Sequence, residues 1–399
     1  LKNIEIYQKG YYFLLAAFLI CLPFQVPHLQ ITSIITILLV IWRLVFFGIS
    51  FTIQPIVKKM LWLCLAYYAV YLVGVTYSNN QNEAWALVER YISFVVFPLV
   101  IFTSPAPSAK NIERLFLYYV ASCCISLCVA LIYATYQYLY YRQTNYFFYH
   151  PLANSVGMHG TFFAIYTCFS LFVSIYFLSK NRKLYWVLGV IFSALGVYLL
   201  SSRTQQVAVL ILILAIGIYQ AYAKRNINIA LSCLSVIILA AALFWHNPGA
   251  KQRNQADKDK NGNDHKLSSA YFRKNRWQAS FEAIKSNFIF GVGSGDVQDE
   301  IDAVCVRNNT ASTQIQGYNT HNQFLQVWVG TGIIGIILLL LIIYQGVQIA
   351  IIKENKLYIY FIVIFVLSCM TEVVLEAQKG LIWFSLFNSL LIIYPKANE

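Results

Sequence analysis

Charge is what this chain has least of. Only 11% of its 399 residues are Asp, Glu, Lys or Arg, less than half of the ~25% usual in soluble domains. Hydrophobic residues make up 59% and the mean hydropathy is +0.60, which excludes a water-soluble globule. Paired cysteine is lacking too. Cys21, Cys64, Cys123, Cys124, Cys128, Cys168, Cys233 and Cys369 fall in apolar stretches, so Cys305 stands alone in the polar part of the chain, with no partner for a disulfide and no Cys/His spacing for a metal. A nucleotide loop is also missing, because Gly291-Val292-Gly293-Ser294-Gly295 is not followed by the Lys-Ser/Thr pair that grips phosphate. Acidic residues number 16 against 29 basic, for a net +13. No basic domain outside the apolar stretches exists to bind nucleic acid, so the excess reads as a topology signal.

What is present is a series of apolar stretches near the ~20 residues that cross about 30 Å of hydrocarbon. They lie at 11–24, 29–48, 60–77, 85–103, 113–138, 156–178, 184–200, 205–222, 228–245, 320–352, 357–374 and 378–395. The expected fold is therefore all-α, a polytopic membrane protein of about twelve transmembrane helices. Helices 1–9 occupy 1–245, a large loop 246–318, and helices 10–12 occupy 319–399. No cleavable signal is expected, since the first apolar stretch lacks a small-residue cleavage site. Fifteen basic residues, among them Lys9, Arg43, Lys58, Lys59, Arg114 and Lys353, fall in alternate connections and the termini, against four (Arg90, Arg142, Arg203 and Lys379) on the opposite side outside the loop. Positive charge is retained in the cytoplasm. Both termini are thus expected inside, and the loop outside, in periplasm or beyond.

A loop of roughly 70 residues far exceeds the usual 4 to 6, and such loops are commonly functional. Its first part, His246 to Lys266, has the composition of a surface excursion. Between Ser268 and Asn287, Tyr271, Phe272, Trp277, Phe281 and Ile284 recur at near-helical spacing among Arg273, Lys274 and Arg276, which predicts an amphipathic helix on the membrane surface. The glycine run after it reads as a turn back toward the membrane. Gly330, Gly332 and Gly335 in the next apolar stretch predict close packing.

Ionisable groups at the edges of apolar spans are costly and usually functional. Arg203, in Ser201-Ser202-Arg203-Thr204, carries a permanent charge that forks onto phosphate oxygens, although a snorkelling arginine would look similar. Arg276 beside Trp277 suits an anionic head group as well as a solvated surface, and Arg273 is a weaker copy. His321 opens the helix after the loop and is suited to general-base work, against the plainer role of an interfacial hydrogen bond; Asn322 is placed to orient it or a substrate. Glu83, Glu89, Arg90, His159, Glu372, Glu376 and Lys379 map near the same outer face, and Tyr133 to Tyr149 read first as an interfacial aromatic belt.

Taken in order, Ser202-Arg203, Arg276-Trp277 followed by Gly291-Val292-Gly293, and His321-Asn322-x-Phe324-Leu325 running into Gly330-x-Gly332 resemble the O-antigen ligase family, with its related oligosaccharide polymerases and protein O-oligosaccharyltransferases. The resemblance implies a GT-C-like membrane fold with a periplasmic loop in the bacterial inner membrane. It further implies an inverting glycosyl transfer, without metal or cofactor, from an undecaprenyl-diphosphate-linked glycan to lipid A core or another saccharide hydroxyl. On that resemblance His321 matches the essential histidine, and Arg203 and Arg276 match arginines that face the donor diphosphate. Ser201-Ser202-Arg203 fits the family's Thr/Ser-x-Ser-Arg pattern loosely. Polymerase and protein-transferase readings differ only in acceptor. A transporter or lipid flippase is the competing class, opposed by the gathering of charge at one face instead of at mid-membrane.

Overall fold

The structure is a computed structural model that describes residues 2–24, 31–46, 53, 55–105, 107–251, 269–310 and 318–395. Most of the expected surface excursion, from 252 onward, lies outside the described residues. No strand occurs among them. The helices are α1 (Lys2–Cys21), α2 (Ile31–Val45), α3 (Pro55–Val75), α4 (Gln81–Tyr91), α5 (Ser93–Phe102), α6 (Ala109–Tyr141), α7 (Tyr149–Asn154), α8 (Gly160–Asn181), α9 (Leu184–Leu200), α10 (Arg203–Lys224), α11 (Ile227–Trp245), α12 (Ser269–Ser286), α13 (Val297–Arg307), α14 (Gln323–Ile352), α15 (Lys356–Cys369) and α16 (Gln378–Ile393).

Seven of these segments are long and apolar enough to cross a membrane: α3, the continuous rod 81–102 formed by α4 and α5, α6, α8, α10, α11 and α14. Shorter apolar helices α2, α9, α15 and α16 accompany them, and α1 runs beside α6. Polar caps set several starts. Ser108 accepts from the Asn111 N–H, Asn80 from Glu83 and Asn355 from Tyr358, each satisfying a first-turn donor that the helix cannot pair internally. The stretch expected at 357–374 stops at Cys369, because residues 370–377 leave the helix and carry two carboxylates, Glu372 and Glu376.

Helix α8 is the axis of the bundle. Nearly all its faces are buried, against α6, α9 and α15, around tilted and edge-on rings of Tyr119, Phe169, Phe361, Trp383 and Phe387. Helix α11 is its opposite, with no residue fully buried and α10 as its main neighbour.

Side-chain bonds between connections sort the chain ends of the helices. At one end the Tyr77 hydroxyl donates to the Phe290 carbonyl (2.7 Å), Thr204 meets Thr371 (2.6 Å), the Ser201 hydroxyl donates to Asn247 (2.8 Å), and the Lys379 ammonium donates to the Gly157 carbonyl (2.6 Å). At the other, Tyr7 meets Ser104 (2.6 Å) and Lys353 donates to the Ile392 carbonyl (2.8 Å). Alternate connections therefore gather at the end that bears the large loop.

The loop helices fold onto the bundle as a small second core. Ala279, Ala283 and Ile284 of α12 pack with Val297, Ile301, Val304 and Cys305 of α13 and with Leu325 and Val329 of α14. The aromatic stripe read from the sequence is divided between this core and the exposed surface. Tyr271 and Phe281 are exposed, whereas Phe272 and Ile284 are buried and Trp277 packs against this core, with Ala279 and Ala283 letting the helix backbones approach.

The glycine run is likewise more than a return turn. In an unbroken α14 the Ile333 N–H would bond the Val329 carbonyl, four residues back. Instead Ile333 donates to the Phe288 carbonyl (3.0 Å), and Val329 accepts from Val292 (2.8 Å), with Gly293 donating to Gly330 beside it (3.1 Å). Gly332 sits at φ +64° in this break, and a Cβ there would lie 2.1 Å from the Ile289 carbonyl oxygen. On the far side of the run, the Asp296 carboxylate accepts from the Asn79 and Asn80 amides, both at 2.7 Å. The loop is thus fastened to both α14 and the α3–α4 connection.

Candidate functional site

The turn before α14 is held from several directions. Thr320 donates its amide to the Gln326 side chain (3.2 Å) and accepts at its carbonyl from the Trp277 indole (2.9 Å). Its hydroxyl donates to the Asn322 carbonyl (2.8 Å), and the His321 amide donates to the Asn319 side chain (3.0 Å). Together these hold His321 at φ +50°, a left-handed conformation that costs a non-glycine residue roughly 1–3 kcal/mol. Strain of this kind persists where surrounding bonds over-determine it, as they do here.

The imidazole faces residues 370–377. Its Nδ1 lies 3.4 Å from the Glu372 Oε1, with side chains 24% and 13% exposed. The contact is an ion-pair distance without a well-aligned hydrogen bond. Burial alone would raise the Glu372 carboxyl, but His321, the Val373 amide (3.1 Å) and nearby His159 outweigh it and hold the group below the ordinary carboxylate value. His159, at the start of α8, is pushed below the ordinary imidazole value, chiefly by burial.

A second carboxylate behaves oppositely. Glu376 accepts from the Gln326 amide (2.9 Å) and lies near Arg90, which donates to its carbonyl (3.5 Å). Enclosure of the carboxyl outweighs both and raises it to about 7. The residue's surface is only partly covered, yet the acid group itself is walled in by protein. Gln326 thus bridges Glu376 to the backbone of Thr320, one residue from His321.

Arg203 is the first residue of α10 and is exposed. The next residue, Thr204, bonds Thr371, and Gln205 donates to Ser368 (2.9 Å). Arg203 therefore enters the same end of the bundle, through a contact adjacent to Glu372. Arg276 is placed differently. It is fully buried, ion-paired to Asp302 of α13, and set over the Phe272 ring at 5.2 Å, so it joins the loop helices to each other. Arg273 is half-buried and stands one helical turn before Trp277, on the stripe that meets Thr320. The Asn322 side chain caps α14, accepting from Phe324 (3.0 Å) and Leu325 (3.2 Å), while its amide reaches the Met370 carbonyl (3.5 Å).

Sequence reasoning singled out His321 and Arg203 but gave Glu372 and Glu376 no role. Their signal was faint but readable: two carboxylates four residues apart between apolar stretches. Among the described residues no group of three or more His, Cys, Asp or Glu is disposed to hold a metal ion.

Residues 188–340 match the family model described as O-antigen ligase. This is the family that the motifs resemble. The O-antigen ligase match runs from α9 past the middle of α14, and so includes Arg203, Arg276, His321 and Asn322 but not Glu372. It supports a membrane glycosyltransferase of the O-antigen ligase and polymerase type. An uncharacterized protein of Haemophilus influenzae is similar over 300 residues, at 23% identity, covering 72% of this chain and 71% of that protein.

Proposed function

We propose that the protein transfers a glycan from undecaprenyl diphosphate to a saccharide hydroxyl, that of lipid A core, at the periplasmic face of the bacterial inner membrane. The observation that carries this reading is the His321–Glu372 pair, at the same bundle end as Arg203 and within reach of the matched family region. The acceptor hydroxyl attacks the anomeric carbon while its proton passes to His321. The bond from that carbon to the diphosphate breaks, and the electron pair leaves with undecaprenyl diphosphate. A single displacement of this kind inverts the anomeric centre. Glu372 stabilises the imidazolium as it forms, in the manner of a carboxylate that orients a catalytic histidine. Arg203 meets the departing diphosphate, with Arg273 as the second cation on the Trp277 stripe. Arg276 acts through its bond to Asp302, fixing the helix that positions Thr320. The diphosphate is already an activated leaving group, so arginines fill the charge-neutralising role and activity survives EDTA.

The test is incubation of purified protein with undecaprenyl-diphosphate glycan and separate acceptors: lipid A core, a second copy of the donor, and a hydroxyl-bearing protein. Product mass on lipid A core alone supports the ligase reading. A lengthened donor or a modified protein moves the assignment to polymerase or protein transferase, and absence of all three products with intact donor rejects glycosyl transfer. His321→Ala is expected to remove transfer and leave the folded protein intact.

A further inference from the structure

The end of the bundle remote from His321 contains a cavity unrelated to the site above. It is a cleft of about 490 Å³ between α1 and α6, lined by Lys9, Phe13, Ala17, Ile20, Arg114 and Tyr118. This volume falls within the range of sites that hold a small molecule, roughly 300–1,000 Å³. The two helices run side by side in the same direction, with the Ser122 hydroxyl bonded to the Ile20 carbonyl. Polarity along the cleft is graded. Lys9 on α1 and Arg114 on α6 line its charged part, and Phe13, Ala17 and Ile20 follow along α1 from Lys9.

Length and charge narrow the occupant. From Lys9 to Ile20 a helix rises about 16 Å, half of the ~30 Å hydrocarbon thickness, so the cleft has the depth of one leaflet. Phe13 is 71% exposed and Ile20 45%, which leaves an apolar wall open sideways to lipid. At the charged part, Glu5 pairs with Lys9 at 2.8 Å, but both side chains are largely exposed, 77% and 67%, and such a pair yields readily to a better partner. Glu113, the other nearby carboxylate, is turned to Asn181 (2.5 Å) and Tyr185 (3.3 Å). Arg114 adds a cation on α6, and the lining holds no carboxylate, which leaves the cleft with net positive charge. An anionic head group above a single apolar chain satisfies both ends of this gradient.

We infer that the α1–α6 cleft is a binding site for one anionic glycerophospholipid, its phosphate between Lys9 and Arg114 and an acyl chain along Phe13, Ala17 and Ile20. The site stands apart from the proposed glycosyl transfer, and its test does not read that reaction. Full-length protein purified in detergent is offered phosphatidylglycerol or phosphatidylcholine and weighed intact by native mass spectrometry. The wild type is expected to retain one phosphatidylglycerol with about tenfold preference over phosphatidylcholine. The double variant Lys9→Gln, Arg114→Gln is expected to lose the preference, with its melting temperature in lipid-free detergent unchanged. Ala17→Phe, which fills the cleft, is expected to bind neither lipid at this site. Equal retention of the two lipids by the wild type overturns the assignment, as does a double variant that keeps the preference. Should the double variant not fold, the wild-type comparison and Ala17→Phe decide by the same criteria.

Discussion

Replacing Glu372 by Gln isolates the charge of the histidine's partner while keeping its size. The imidazolium that forms in transfer would sit 3.4 Å from the carboxylate. Coulomb's law at that separation gives between about 1 kcal/mol in a water-like medium and about 5 kcal/mol at an effective dielectric near 20. In rate this is roughly 5- to 4,000-fold. Both side chains retain some exposure, 24% and 13%, so solvent screening favours the lower half, and Glu372→Gln is expected to slow turnover about 10- to 100-fold. The donor KM should hold, because the carboxylate contacts the base and not the diphosphate. The assay is initial-rate product mass with purified donor and acceptor, alongside a detergent melting curve to establish folding. Turnover within about threefold of wild type, in a variant that melts normally, would refute the reasoning and leave His321 without its proposed partner.

Other expectations separate chemistry from scaffold. Arg203→Ala should weaken donor use without lowering the melting temperature. Arg276→Ala should lower both, because it removes the charged partner of Asp302, which keeps its bond from Gln298 and some exposure, so the cost falls below the ~3–5 kcal/mol of a fully buried broken pair; an Arg276→Ala protein that melts normally but cannot use donor would return that arginine to direct diphosphate contact. Gly332→Ala forces a Cβ to 2.1 Å from the Ile289 carbonyl and should destabilise the folded protein by more than the 1–2 kcal/mol of a left-handed residue alone, as read by thermal melting. Glu376 is raised from 4.5 to about 7, so the folded protein keeps a proton that the unfolded chain releases. Its contribution is therefore greatest below about pH 4.5 and declines as pH rises to about 7, by at most ~3 kcal/mol. Glu376→Gln should flatten that slope, and a melting profile across pH 5–8 identical to wild type would remove Glu376 as its source.

The lengths of the apolar stretches pointed to the long apolar helices, because membrane thickness imposes a length that polar residues interrupt visibly. What stayed hidden depends on contacts distant in the chain. Arg276 reads like an exposed phosphate ligand until Asp302, 26 residues later, is seen beside it. The α12 interface was only half legible in the aromatic pattern, which named Phe272, Trp277 and Ile284 but not Ala279 and Ala283, whose side chains carry little hydrophobic signal. Glu372 lies 51 residues beyond His321, in the connection between α15 and α16, and no spacing rule joins them before the bundle is assembled.

The rerouted bonds at Gly332 bear on how the polypeptide is assembled. A membrane interior offers no water to satisfy an amide or carbonyl left over from a broken helix. The Ile333 amide and Val329 carbonyl depend on Phe288 and Val292 for that service. If the loop is extracytoplasmic, as the distribution of basic residues leads one to expect, half of this suture belongs to a segment that must first emerge from the far side of the bilayer. The tenth long hydrophobic passage in the expected topology therefore cannot reach its final contour until the extramembranous portion preceding it has been delivered and has settled back, which makes export of that portion a step in the maturation of the span itself.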